Sequence, residues 1–301
     1  MNDELQLERI TIGTTDPDWF SYLRARPDLT EVNFWRPGNS PTRIRPGTPW
    51  FYLLRGTTTV AGAGFFSTYS SLPIGLAWDT FGPANGFGDL QSFRAKIARL
   101  QKRPVALVGD VGCVVLSNPI YFKEPIDIGL RMYGPLSSIP VDDARAKVLM
   151  AALRTSAIVS AFPPIERHDS VGTPRIIVPR LGQGSFRILV TEAYGRRCAV
   201  TGEKTLPALE AAHIKPFAIV KEHDVKNGLL LRSDLHRLFD QGYVSIQPDL
   251  TFRVSRAIRD EFENGRDYYA LDGATIRPPG DPAQLPTQEH LEWHYDTLFR
   301  G

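Results

Sequence analysis

The stretch "LEAAHIKP" (residues 209–216), followed by "NGLLLRSDLHRLFDQG" (227–242), decides how the C-terminal half of this 301-residue chain folds. The first segment is a short apolar run ending on His213, the pattern of a strand with a polar residue at its tip. Asn227-Gly228 then reads as a tight turn. The Asn227 amide can tie the intervening loop across. "SDLHRLFDQG" reads as a short helix, with Ser233 placed to cap it and Gly242 to stop it. His236 and Asp240 are four apart, so helical geometry puts them on one face. An imidazole and a carboxylate paired in this way suit a divalent cation. Asp234, near the helix start, is a second carboxylate open to the same role.

The flanking segments extend the pattern. "GSFRILVTEAYGRRC" (184–198) predicts a helix capped by Ser185 and ended by Gly195. "CAVTG" and "LPALEAAHI" read as two short strands around a turn at 202–204. "YVSIQPDLTFRVS" (243–255) reads as a hairpin, and "TQEHLEWHYDTLF" as a helix. His290 and His294 on that helix are read as surface or packing residues. His223, in the loop "KEHDVKN", is expected to face solvent.

Composition bounds the class. Hydrophobic residues make up 42%, charged residues 23% and aromatic residues 10%, ordinary globular values. No apolar run is long enough for a membrane span. The start "MNDELQLERI" lacks the basic and apolar regions of a secretory signal, and the two cysteines, Cys113 and Cys198, suit a reducing cytoplasm. Net charge is only +2, yet residues 173–197 hold five arginines (Arg175, Arg180, Arg187, Arg196 and Arg197) against one acid, Glu192. Such a local basic stripe can contact phosphates on a near-neutral chain.

Residues 1–140 read as β-rich, with "PWFYLLRG" (49–56), "TTVAGAGFFSTYS" (58–70) and "VGCVVLSNPIYF" (111–122) as aromatic and β-branched runs. The helix "DLQSFRAKIARLQ" (89–101), capped by Asp89, interrupts them. The expectation is a small barrel or strongly bent sheet. Residues 141–172 are read as a helix and linker, and 173–301 as a second domain. The fold class is therefore α+β in two domains.

The motifs at 209–216 and 227–242, in this order and spacing, resemble the HNH endonuclease family with an AAHI first motif. That resemblance implies a ββα-metal core. It assigns His213 as the general base for phosphodiester hydrolysis, Asn227 as the residue orienting it, and His236 as a metal ligand. Asp240 falls at a second ligand position, and Mg²⁺ or Mn²⁺ is the cation implied. Two departures matter. Many relatives carry Asp or His directly before the catalytic histidine, where this chain has Ala212, so the metal would have fewer protein ligands or Glu210 would have to reach it. Many also carry paired cysteines, whereas Cys198 stands alone and no structural zinc is expected.

The N-terminal half resembles, more loosely, PUA-like barrels that read modified or flipped bases. Trp35, Phe34 and Trp78 are candidates to stack on a base, and Asp79 or Asn85 to read its edge. Arg180, Arg187, Arg196 and Arg197 are candidates for DNA backbone contacts. The expected partner is double-stranded DNA, with methylated or otherwise modified bases as the selected class. Cutting both strands favours a homodimer. Ala212 keeps open a rival, a non-catalytic DNA-binding protein with a degenerate HNH fold.

Overall fold

Six residues of β3 in the sequence "PWFYLL" show no alternation of polar and apolar side chains, and the structure gives the reason. The computed structural model describes residues 7–38, 43–159 and 181–301. It divides the chain into two compact units, Met1–Arg180 and Leu181–Gly301. The first unit runs β1 (Arg9–Thr15), α1 (Pro17–Arg24), β2 (Glu31–Arg36), β3 (Pro49–Leu54), β4 (Thr59–Pro73), α2 (Ile74–Phe81), α3 (Leu90–Gln101), β5 (Asp110–Asp127), β6 (Leu136–Pro140) and α4 (Ala144–Val159). Its strands form a six-stranded sheet in the order β2-β5-β4-β3-β1-β6. Within it β1 and β3 are parallel and the other pairs antiparallel.

Strand β3 lies inside this sheet and is covered on both faces. Phe51 and Leu53 pack with Ile10, Ile12 and the α4 residues Ala146, Leu149 and Leu153. Trp50 and Tyr52 pack with Val114, Leu116 and the α1 residues Trp19, Phe20 and Leu23. A strand sandwiched in this way is apolar at every position. The helix read at 141–161 thus belongs to the first unit's core, held by Ala146, Leu149 and Leu153 at i, i+3 and i+7. The long β4 and β5 pair through shifts of register after Val60, Ala63 and Phe66, points at which strands bend. Asp89 caps α3 as expected, accepting from the Ser92 amide at 2.7 Å.

The second unit runs α5 (Gln183–Ala193), β7 (Leu209–His213), α6 (Phe217–Val220), β8 (Gly228–Arg232), α7 (Ser233–Asp240), β9 (Val244–Ile246), β10 (Phe252–Val254), α8 (Ala257–Phe262), α9 (Arg266–Tyr269) and α10 (Gln288–Thr297). β7 and β8 are antiparallel, with Leu209 opposite Arg232 and His213 opposite Gly228. α7 follows β8 directly, so two strands and a helix form one ββα unit. β9 and β10 make the expected hairpin.

Three local expectations change. "CAVTG" is a turn and not a strand; the partner of β7 is "GLLLR", whose first four residues are buried. Ala199 donates one main-chain bond toward β8, to the Leu230 carbonyl at 2.7 Å, and its own carbonyl accepts from Arg277 at 2.8 Å. Ser185 does not cap α5: Gly182 holds that place and Ser185 is buried inside the helix. Ser233 does not cap α7 either; the preceding Arg232 occupies the cap position and ties Asp234 at 2.5 Å.

Phe186, Val190, Leu229, Leu231, Leu235 and Phe239 centre the second unit's core. Cys198 sits in it as a small buried residue, its sulfur 3.4 Å from the Arg232 amide. Among the described residues no helix is long and apolar enough to cross a membrane.

Candidate active site

The Asn-Gly step is the hinge of the site, but not as a turn that demands glycine's conformational freedom. Gly228 is extended, at φ −127°. What it lacks is room: a Cβ there would run into Val190 and Phe186 of α5. Because Gly228 lies opposite His213, this close approach lets Phe186 reach the histidine. The two rings stack at 3.9 Å and 7°.

Asn227 is fully buried and spans the loop that leaves β7. Its Oδ1 accepts from the Lys215 amide at 2.9 Å, and its Nδ2 donates to the Lys215 carbonyl at 2.8 Å. Its own carbonyl accepts from Ile214 at 2.9 Å. The side chain is therefore a double clamp on the main chain of Lys215, and the Asn227 main chain holds Ile214. Removing it would leave two buried main-chain groups without partners, a cost of about 1–3 kcal/mol each.

His213 is half-buried at the strand tip. Burial pushes its pKa down to about 4, and the neighbouring His223 and His236 push the same way. At neutral pH the ring is uncharged and holds a lone pair, the form a general base needs. An approaching phosphate, being anionic, would raise that pKa toward the working range. Among the described residues the ring bonds neither a backbone carbonyl nor a carboxylate; Nε2 lies 3.0 Å from Nδ1 of His223. His223 is thus not a solvent-facing loop residue. It is partly buried, stacked on Phe217 at 4.2 Å and 13°.

Helix α7 has two working faces. Leu235 and Phe239 enter the core, while His236 and Asp240, also four apart, face the other way. His236 Nδ1 lies 2.7 Å from Glu210 Oε2 on β7. Its Nε2 lies 3.4 Å from Asp240 Oδ2. Burial raises the Asp240 carboxyl above its usual value; His236 draws it down and Glu210 pushes it up. Asp234 does not join this row, because Arg232 holds it in a two-pronged ion pair and lowers its pKa. Ala212 is fully buried in the core, so the carboxylate on this side of α7 comes from Glu210.

A cavity of about 500 Å³ brings these groups together; Glu210, His213, His236, Asp240 and Arg187 all line it. One imidazole and two carboxylates make a mixed nitrogen–oxygen donor set suited to a hard or borderline divalent cation. As it stands the row is closed by hydrogen bonds. Among the described residues no group of three or more His, Cys, Asp or Glu is arranged as a ready metal cage. The chemistry of the donors fits a cation, which would have to displace the contacts that His236 makes.

Of the predicted arginines, Arg187 reaches the cavity. Arg196 pairs with Glu192 at 2.7 Å, one turn away on the far end of α5. Arg197 is partly buried, and Arg180 lies outside the described residues. In the first unit, Trp35 donates its indole N–H to the Asn85 carbonyl at 2.9 Å and packs among Phe87 and Phe93. Asn85 is fully buried, with its side-chain amide bonded to Ala77, Gly82 and Asn33. Phe34 is buried in the core. Trp78 and Asp79 sit on α2, half-buried and exposed respectively.

The ββα arrangement places a histidine at a strand tip and another on the helix, both lining one cavity. Residues 198–247 match the HNH endonuclease family, so the second unit carries an HNH endonuclease segment. No curated protein matches the chain. Among solved structures, the chain is similar to a modification-dependent TagI restriction endonuclease, at 15% identity over 89% of this chain and 75% of that one, with a TM-score of 0.30. It is also similar to an ASCH protein from Zymomonas mobilis, at 12% identity over 47% of this chain and 93% of that one, with a TM-score of 0.34.

Proposed function

We propose that the protein is a metal-dependent DNA endonuclease whose second unit hydrolyses phosphodiester bonds. The observation that carries this is the shared cavity: a neutral imidazole, His213, and a Glu210–His236–Asp240 row line one space of about 500 Å³. His213 takes a proton from water as the water adds to phosphorus. Asn227 holds the loop behind His213, and Phe186 holds the plane of its ring. Glu210, His236 and Asp240 would hold one divalent cation, Mg²⁺ or Mn²⁺. When bound, it offsets the charge on the phosphate and on the departing 3′ oxygen. Arg187 supplies a positive group at the cavity wall for the DNA backbone.

The first unit, in this reading, selects the DNA, with modified bases as its targets. Trp78 and Asp79 on α2 are the residues placed to take part; Trp35 is engaged in packing. A second copy of the chain would let two such sites cut both strands.

The buried Ala212 favours a second reading, a DNA-binding protein with an inactive HNH fold. Supercoiled plasmid incubated with Mg²⁺ or Mn²⁺ separates the two. Wild type is expected to nick it, while His213→Ala binds DNA but does not cut. Glu210→Gln is expected to require about tenfold more metal for half-maximal rate. Binding without any cutting by the wild type, in either metal, would leave the second reading standing. Comparing unmodified, methylated and hydroxymethylated versions of one DNA tests the selectivity; equal cutting of all three would refute it.

A further inference from the structure

His223 was not expected at the site, and its contact with His213 has a chemical consequence. Two uncharged imidazoles can share a hydrogen bond only if one donates an N–H and the other accepts on a lone pair. The contact joins Nε2 of His213 to Nδ1 of His223 at 3.0 Å. If His223 donated, Nε2 of His213 would be occupied as an acceptor and its proton would sit on Nδ1. Neither nitrogen could then take a proton from water. If His213 donates, its Nδ1 lone pair is left open.

We propose that His223 is a positioning residue: it accepts the Nε2–H of His213 and so fixes the tautomer in which Nδ1 is the base. This rests on the nuclease reading of the cavity above. The fold holds the pair from both sides. Phe186 stacks on His213 at 3.9 Å, and Phe217 stacks on His223 at 4.2 Å. Both Phe217 and His223 lie in the loop that Asn227 closes through Lys215. The end of that loop is pinned next to His223, where Asp224 accepts from the Lys226 amide at 2.9 Å and its carbonyl from Asn227 at 2.9 Å. In balance, the proton lost by water goes to Nδ1 of His213 as the new oxygen–phosphorus bond forms and the phosphorus–O3′ bond breaks, its electron pair leaving on the 3′ oxygen, which takes a proton from solvent. The Nε2–H stays on His213 and its bond to His223 strengthens as the ring gains charge. Serine hydrolases use a carboxylate in the same role, fixing the tautomer of their histidine base.

The test uses the full chain labelled with ¹⁵N-histidine; only six histidines are present. Two-bond ¹H–¹⁵N spectra at pH 7.5 report which nitrogen of His213 carries the proton. Wild type is expected to show Nε2–H. His223→Asn keeps an acceptor oxygen, so it is expected to preserve that tautomer, whereas His223→Phe loses it. In plasmid cleavage His223→Phe should lower kcat by about 10–100-fold with KM little changed. His223→Asn should recover most of the rate. A His213 found as Nδ1–H in wild type, or wild-type kcat in His223→Phe, overturns the proposal. If wild type cuts no DNA, the nuclease reading falls by itself, and the tautomer measurement still decides the role of His223.

Discussion

His294 illustrates how one residue can carry the pH response of a whole unit. It is 1% exposed. Its Nδ1 lies 2.8 Å from the Ser245 hydroxyl and its Nε2 lies 3.0 Å from the Phe239 carbonyl. A neutral ring satisfies both, with Nε2–H donating and Nδ1 accepting. A second proton would place a charge in the buried core, and burial pushes the pKa down to about 4 from 6.5. Between those values the unfolded chain binds the proton and the folded chain does not. Stability therefore falls as pH drops from 6.5 toward 4, by up to about 3 kcal/mol from this group. Denaturant unfolding at pH 7.5 and pH 4.5 should show the loss in wild type. His294→Gln should show a smaller difference between the two pH values; an unchanged difference would place the acid sensitivity elsewhere.

At the same scale, His213, Asn227 and His236 could be picked out of the sequence because the motif blocks around them resemble the HNH family in order and spacing. His223 could not. Its ten-residue separation from His213 matches no regular period, and its position follows from how the loop closes on Asn227. Glu210 was legible only conditionally, through the absence of a ligand at Ala212. The four arginines looked equivalent in the chain. Of the described ones, only Arg187 lies in α5 and lines the cavity; Arg196 and Arg197 follow the helix, and Arg196 pairs with Glu192.

Among the elements, α5 does the most to shape the site, and Gly228 decides how close it comes. The would-be Cβ contacts at Gly228 are Val190 and Phe186, both in the well-packed core. Gly228→Ala is therefore expected to cost about 1–3 kcal/mol, as overpacking does. It should also tilt Phe186 away from His213 and slow cleavage. Gly280→Ala is the control. Nothing approaches closer than 4.0 Å there, so its unfolding midpoint should stay within about 0.5 kcal/mol of wild type. Equal losses in both variants would remove the steric argument. The strand at 198–202 was misread at this scale because a short apolar run bounded by a turn looks the same whether or not it finds a partner. β8 outcompeted it, with three consecutive leucines to bury.

For the whole molecule, the decisive fact is that each unit has its own core. Among the described residues, the second unit's core is built from residues between Phe186 and Leu291. Among the described residues, the first unit's clusters run from Leu7 to Leu153. Residues 181–301 expressed alone should therefore melt in one cooperative transition followed by circular dichroism. If the first unit confers selectivity, this fragment should nick modified and unmodified plasmid at the same rate, while the full chain discriminates. A fragment without a cooperative transition would mean that the core bookkeeping omits a necessary contact.

By itself, the sequence determined the strand ending on His213, the short helix bearing His236, the capped helix α3 and the apolar character of the central strands. These are properties of neighbouring residues, set by hydrophobic period and local side-chain chemistry. Only the tertiary structure decided that His223 bonds His213, that Glu210 faces His236, that Gly228 is required for space and that α4 completes the first unit's core. Each of those depends on the distance between segments far apart in the chain, which packing fixes and local pattern does not encode.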